Sequence, residues 1–244
     1  LSDAAMEDWL ARLNAAGKAI DRDEQVRQLH AELESGLELL GATAIEDELQ
    51  RGVPETIHAL RSAGMRVWVI TGDKMETAYS VGLACRVFQP DQDLVTLNCR
   101  GEGDFVPFVQ SELERIKDVT GSLGVIINGT NVPWCLQQQT LLRPLFLRAE
   151  SVVCCRVTPM QKAEITSLVK AITGEVVLTI GDGANDVPML TRGDVGVGIY
   201  GKEGCQAAAT GDFALRRFRP LTKLVLYYGR NFQAGNTLII KFSF

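Results

Sequence analysis

The stretch Gly181–Leu190, with the sequence GDGANDVPML, places two carboxylates and an amide close together: Asp182, Asn185 and Asp186. It directly follows the apolar run 176–180, the pattern of a buried strand that ends in a loop. A loop entering a helix can aim the two carboxylates at one cation while the amide binds a nearby oxygen. Mg²⁺ prefers hard oxygen ligands and is usually held by one or two carboxylates together with phosphate oxygens and water. The stretch therefore predicts a magnesium site and phosphoryl chemistry.

A second candidate position is the tripeptide Thr71-Gly72-Asp73, which follows the apolar run 67–70. A hydroxyl and backbone N–H groups that lead into a helix N-terminus can hold a phosphate through hydrogen bonds and the helix dipole. The same tripeptide also occurs as an ordinary turn, so its interpretation depends on the other positions.

Two cations follow the apolar run 152–155. Lys162 falls in the first turn of a helix predicted to begin at Pro159, where the helix dipole disfavours positive charge. A bound phosphate would offset this mismatch, and a solvated lysine is the alternative. Arg156 could bind phosphate or nucleotide in a bidentate manner, or be an exposed loop arginine.

These positions need a scaffold, and the sequence predicts an α/β fold with a parallel sheet covered on both faces. In such a sheet, ligands bind at the carboxyl ends of the strands, where all three candidate positions fall. The predicted strands are 67–70, 123–127, 152–155, 176–180 and 195–199, and the predicted helices are 54–64, 75–85, 106–119, 133–147 and 159–172.

Three further stretches have no candidate chemistry. Residues 3–36 predict two surface helices, and 88–107 has no clear periodicity and is predicted to be a surface loop. Cys154 and Cys155 lie in an apolar strand, where neighbouring side chains point to opposite faces, so we expect buried free thiols and a reducing compartment.

Composition excludes several classes of function. The 244 residues are 46% hydrophobic and 23% charged, as in an ordinary globular protein, and the net charge of −5 argues against nucleic acid as a partner. That charge also gives no support for membrane anchoring by a basic patch. Six cysteines without a CxxC pair, and two histidines, leave little for a zinc site.

Taken in chain order, Thr71-Gly72-Asp73, Lys162 and Gly181–Leu190 resemble the motifs of the haloacid dehalogenase superfamily and its P-type ATPase branch. Other stretches are similar to the type IV group, the phospholipid flippases. These stretches are Gly41–Gln50, Val53–Ile57, Thr71–Ala78 and Cys154–Glu164. Cation pumps share the acidic loop but typically lack the Cys-Cys-Arg and Ile-Glu-Asp-Glu-Leu-Gln segments. The resemblance covers roughly residues 37–232.

The resemblance implies a Rossmann-like three-layer parallel sheet and catalysis through an aspartyl-phosphate formed from ATP. It implies Asp182 and Asp186 as ligands of Mg²⁺, and Lys162, Thr71 and Asp182 as the catalytic residues. The residues implied to bind the nucleotide and its phosphates are Thr71, Gly72, Asp73, Arg156, Lys162, Asn185 and Asp186.

The same resemblance implies a domain organisation and partners. Residues 1–36 would be the tail of a nucleotide-binding domain with linker helices, 37–226 the C-terminal major part of the phosphorylation domain, and 227–244 a stalk. The parent would be a multi-pass membrane protein that moves phospholipid, in particular aminophospholipid, from the outer to the inner leaflet, with this segment on the cytoplasmic side. Its partners would be the rest of the same polypeptide and an accessory membrane subunit. Asp47 would either approach the nucleotide or cap a turn.

One departure from the family pattern stands out. The family's nucleophile lies in an Asp-Lys-Thr-Gly-Thr motif, which this sequence lacks. We therefore expect a piece of a longer protein whose sheet lacks the nucleophile-bearing strand, which is inactive alone and has an exposed sheet edge that invites pairing.

Two other classes of function remain as alternatives. A magnesium-dependent phosphatase of the same superfamily needs an Asp-x-Asp pair at a strand end, and Asp21 and Asp23 lie instead in a polar helical stretch. A non-catalytic interaction module would keep only the fold, and the intact set of Thr71, Lys162, Asp182 and Asp186 argues against it.

Overall fold

The computed structural model describes residues 3–17, 21–38, 40–41, 49–201 and 204–243. The chain forms two compact units, Leu1–Asp47 and Glu48–Phe244. Asp47 and most of the motif in Gly41–Gln50 lie outside the described residues.

The first unit contains the two helices predicted for its sequence, α1 (Asp3–Ala16) and α2 (Arg22–Leu33). The Trp9 indole N–H donates to the carbonyl of Leu29 at 3.0 Å, and Arg12 forms an ion pair with Glu32. Asp21 immediately precedes α2 and Asp23 lies in its first turn. The Asp-x-Asp pair is therefore at a helix start rather than at a strand end, as predicted.

The second unit is built on two parallel sheets. The first contains β1 (Val67–Ile70), β2 (Asp93–Leu97), β3 (Leu123–Asn128) and β4 (Ser151–Cys155) in the order β1-β4-β3-β2. The second contains β5 (Leu178–Gly181), β6 (Val195–Ile199) and β7 (Phe213–Leu215) in the order β5-β6-β7. In the first sheet Ile70 pairs with Cys154, so the ends of β1 and β4 lie side by side. The predicted α/β class with parallel strands is confirmed.

The helices of this unit connect the strands and follow the last of them. They are α3 (Val53–Ser62), α4 (Met75–Ala84), α5 (Glu102–Arg115), α6 (Val132–Gln137), α7 (Gln139–Arg148), α8 (Pro159–Thr173), α9 (Val187–Arg192), α10 (Gln206–Thr210), a π-helix (Lys223–Gly229) and α11 (Arg230–Ser243). Among the described helices, none combines the length and apolarity that a bilayer span requires.

The apolar core covers both faces of the first sheet. Cys154 belongs to the cluster that includes α5, α7 and α8, whereas Cys155 belongs to the opposite cluster with Ile57 of α3 and Ala78 of α4. Both cysteines are fully buried and free. The opposite orientation and the burial predicted for this pair are therefore confirmed.

The prediction of a surface loop over 88–107 is wrong. The stretch contains β2 and the beginning of α5, and Phe88, Val95, Leu97 and Phe105 are at most 2% exposed. β2 is an edge strand that begins among polar residues and buries only alternate side chains, so its short sequence carries a weak signal. α5 begins at Glu102 rather than at Val106, with acidic side chains in its first turn, where the helix dipole favours them.

One edge strand of each sheet, β1 in the first and β5 in the second, is largely apolar. Within the described chain, β1 pairs only with β4 and β5 only with β6. All four side chains of β1 are apolar yet half-buried, whereas β3 and β4 are buried throughout. Helix α3 contacts both parts, since Ile57 packs in the cluster of β1 and β4 and Leu60 packs against residues of β5 and β6. One residue of α3 thus packs near each edge, and β1 and β5 do not pair with each other among the described residues.

Candidate phosphoryl-transfer site

The acidic loop at the end of β5 is organised by the carboxylate of Asp186. Its Oδ2 atom accepts the backbone N–H groups of Asp182 and Gly183 at 3.2 and 3.4 Å. A Cβ atom on Gly181 would lie 2.3 Å from the Cβ of Asp186, so only glycine permits this close approach. A short 3₁₀ turn, Ala184–Asp186, then leads into α9. The glycine and the second aspartate therefore set the path of the loop.

The other oxygen of Asp186 forms a buried ion pair with Lys162. The Nζ atom of Lys162 lies 2.7 Å from Oδ1 of Asp186, and the two side chains are only 15% and 12% exposed. The alternative of a solvated lysine is therefore wrong. Asp186 itself offsets the unfavourable position of a cation in the first turn of α8. An ammonium group has three N–H donors, so two remain for a ligand.

Asp182 and Asn185 differ from Asp186 in their surroundings. Both are exposed, and no hydrogen bond or ion pair of their side chains occurs within the described part of the chain. Of the two predicted metal ligands, Asp182 thus has the carboxylate that is free to bind a cation. An exposed carboxylate in the loop that the Lys162–Asp186 pair holds suits a Mg²⁺ ion whose other ligands are water and phosphate oxygens. No group of three or more His, Cys, Asp or Glu side chains arranged for a metal occurs among the described residues.

The tripeptide Thr71-Gly72-Asp73 and Arg156 meet at the neighbouring ends of β1 and β4. Thr71 Oγ1 donates to Asp73 Oδ2 at 2.7 Å and accepts the backbone N–H of Asp73 at 3.2 Å. The backbone N–H of Arg156 donates to the carbonyl of Asp73 at 2.8 Å. Arg156 has a φ of 53°, in the left-handed region, and its side chain is exposed. The tripeptide lies between β1 and α4, at the strand end and helix start where the sequence placed it, and it is joined to the strand end that bears Arg156.

Two residues that support this arrangement had no role in the sequence interpretation, Gln161 and Gly129. The Gln161 side chain accepts the backbone N–H of Thr158 at 3.0 Å and donates to the carbonyl of Gly129 at 2.9 Å. A Cβ atom on Gly129 would lie 2.1 Å from the carbonyl oxygen of Arg156. The spacing of Thr158 and Gln161 is that of a capping box, a signal that could have identified Gln161. The two residues hold the segment between Arg156 and Lys162 against the end of β3.

The predicted site residues therefore form two groups. Thr71, Gly72, Asp73 and Arg156 lie at the ends of β1 and β4, and Lys162, Asp182, Asn185 and Asp186 surround the end of β5. Among the described residues, no hydrogen bond or ion pair connects the two groups. The first group thus lies at the ends of the edge strand β1 and its neighbour β4, and the second lies at the end of the edge strand β5.

Comparison with known proteins identifies relatives over most of the chain, although no family model matches it. A phospholipid-transporting ATPase of Schizosaccharomyces pombe is 44% identical over 88% of the chain. Phospholipid-transporting ATPase 1 of Arabidopsis thaliana is 40% identical over 98% of the chain, and Phospholipid-transporting ATPase VD of Mus musculus is 39% identical over 94%. The matched region makes up 18–21% of these three relatives. By sequence, the chain is therefore a homologue of one segment of the phospholipid-transporting P-type ATPases, the family that its motifs resemble.

Proposed function

We propose that the chain is the phosphorylation-domain segment of an ATP-driven phospholipid flippase that works through an aspartyl-phosphate. The observation that carries this proposal is the buried Lys162–Asp186 pair, which holds the acidic loop so that Asp182 is presented at the end of β5. The names of the relatives support phospholipid as the transported substrate.

In this proposal the end of β5 holds the transferring phosphoryl group and its cation. Asp182 would bind Mg²⁺, which when bound neutralises the charge that develops during phosphoryl transfer. The two remaining N–H donors of Lys162 would bind phosphoryl oxygens, and the exposed amide of Asn185 would add a hydrogen bond. Asp186 would act through Lys162 and the loop backbone, because both of its oxygens are already engaged.

The end of β1 would hold the remaining part of ATP. Thr71 would turn its hydroxyl from Asp73 towards a phosphoryl oxygen, since the two groups are held only by a local hydrogen bond. Gly72, Asp73 and the guanidinium of Arg156 would face the nucleotide. Positioning and charge stabilisation of this kind supply most of the rate enhancement in phosphoryl transfer.

The nucleophile would come from another segment of the same polypeptide. β1 and β5 are edge strands, α3 packs one residue into the apolar cluster beside each of them, and a parallel strand inserted between them would complete one sheet. Its carboxyl end would then lie between Thr71 and Asp182. On this proposal the chain alone is inactive, and the parent adds actuator, nucleotide-binding and membrane domains and an accessory membrane subunit, with this segment on the cytoplasmic side.

The test is phosphorylation of the parent polypeptide with ATP labelled at the γ-phosphate, followed by acid quenching. We expect label that is stable in acid and released by hydroxylamine, as for an acyl phosphate. Asp182→Asn should abolish it, while Asp91→Asn, which changes an exposed aspartate without described side-chain contacts, should retain it. Labelling of the isolated chain, or full labelling of the Asp182→Asn parent, would contradict the proposal. Transport of a fluorescent aminophospholipid by the reconstituted parent tests the substrate.

A further inference from the structure

Helix α8 connects β4 of the first sheet to β5 of the second, and two ion pairs hold it to loops of the second. Near its start Lys162 Nζ lies 2.7 Å from Asp186, and near its end Lys170 Nζ lies 2.7 Å from Asp194. The side chains of the first pair are 15% and 12% exposed, whereas both side chains of the second are 36% exposed. Because water screens the second pair more, α8 is held to the second sheet mainly at Lys162.

Towards the first sheet, α8 has a single side-chain hydrogen bond within the described part of the chain, and it comes from Gln161. The Nε2 atom of Gln161 donates to the carbonyl of Gly129, directly after β3, at 2.9 Å. Its Oε1 atom accepts the backbone N–H of Thr158 at 3.0 Å, which completes the capping box of α8. Gly129 packs against the carbonyl of Arg156 at the end of β4, since an added Cβ would lie 2.1 Å from that oxygen. One amide therefore ties the first turn of α8 to the ends of β3 and β4.

The amide of Gln161 meets both demands in one orientation. A glutamine side chain has an acceptor oxygen and a donor nitrogen on the same planar group. The oxygen faces the start of α8 and the nitrogen faces the end of β3, so a shift of the helix relative to β3 breaks one hydrogen bond or the other. Lys162 is the next residue of the same helical turn, and its position therefore depends on this link.

We infer that Gln161 is a positioning residue, which sets the place of Lys162 relative to Arg156 and the strand ends of the first sheet. Among the described residues, no hydrogen bond joins the two groups of candidate site residues directly, and Gln161 supplies the link between the elements that bear them. It acts through Lys162, because both ends of its amide are engaged by backbone groups. The inference rests on the proposed function, in which Lys162 binds the transferring phosphoryl group. A displaced Lys162 would slow the transfer, since phosphoryl transfer depends on the orientation of the charged groups around it.

The first test is phosphorylation of the parent polypeptide over a range of ATP concentrations. Gln161→Met keeps a long, uncharged side chain without the amide, and it should lower the maximal rate about tenfold. The ATP concentration for half-maximal rate should change by less than about twofold, because the groups that face the nucleotide are unaltered. The matched control Gln139→Met removes an amide that donates to the carbonyl of Leu136 at 3.0 Å, at the start of α7, and should keep both values. An unchanged maximal rate in Gln161→Met, a change in the ATP requirement alone, or the same loss in the control would overturn the inference.

The second test needs no ATP and uses urea unfolding of the 244-residue chain. It compares Gln161→Met, Asp186→Asn and the double variant, whose unfolding equilibrium constant should be about threefold or more below the product of the two single effects. The same cycle with Gln139→Met in place of Gln161→Met should give independent effects. Independent effects of Gln161→Met and Asp186→Asn would overturn the inference, because Gln161 would then not position the partner of Asp186. Absence of acid-stable label in the unaltered parent would contradict the proposed function alone, since the unfolding cycle does not depend on it.

Discussion

Replacing Asp186 by alanine should destabilise the protein far more than replacing Asp182, four positions earlier. Asp186→Ala leaves the ammonium of Lys162, whose side chain is 15% exposed, without its 2.7 Å partner, and it frees two backbone N–H groups. Removing one partner of a buried ion pair costs about 3–5 kcal/mol, because the remaining charge stays desolvated. Asp182→Ala removes an exposed carboxylate without described contacts and should cost less than about 0.5 kcal/mol.

Urea unfolding monitored by circular dichroism measures both changes. With a slope of about 2–3 kcal/mol per M, we expect the midpoint of Asp186→Ala to fall by roughly 1–2 M and that of Asp182→Ala to change little. Combining Asp186→Ala with Lys162→Met should restore part of the loss, because the unpaired cation is removed as well. Similar midpoints for the two single variants would refute the assignment of a structural role to Asp186 and a free carboxylate to Asp182.

Three further predictions follow from local contacts. Gly181→Ala should destabilise the protein by about 1–3 kcal/mol, because the new Cβ would lie 2.3 Å from that of Asp186. The control Gly183→Ala should be tolerated, and equal urea midpoints for the two variants would contradict this prediction. The exposed Cys205 should react with a thiol reagent before the buried Cys135. Burial raises the pKa of the Cys135 thiol from 9.0 to about 12, so this thiol stays protonated in the folded state when it already ionises in the unfolded state. The free energy of unfolding that it contributes below pH 9 should therefore decline between pH 9 and pH 12, as urea unfolding at several pH values would measure. Within the described residues, one edge each of β1 and β5 has no partner strand, and these edges should cause concentration-dependent association in sedimentation velocity; a compact monomer at all concentrations would count against it.

The strands, and the candidate site residues at their ends, could largely be predicted from the sequence. β1 and β6 coincide with their predicted ranges, and the Thr71 turn, the helix opened by Pro159 and the acidic loop all follow strands as expected. These features have local causes, since apolar runs, prolines and glycines act over a few residues. β2 was missed because a short edge strand that begins with a polar residue and buries only alternate side chains has little of that local signal.

The roles of the two loop aspartates could not be separated in the same way. In the sequence, Asp182 and Asp186 are equivalent candidates for one cation. In the structure, Asp186 pairs with Lys162, which lies 24 residues away on α8, and Asp182 stays exposed.

By itself, the sequence determined the α/β class, the residue types suited to phosphoryl chemistry and their places at strand ends, because each depends on short-range patterns. The tertiary structure alone decided which carboxylate is buried in an ion pair, which carboxylate is exposed and available to a cation, and which strands lie at a sheet edge among the described residues. Burial, ion pairing and strand order depend on contacts between residues far apart in the chain, and those contacts arise only when the chain has folded.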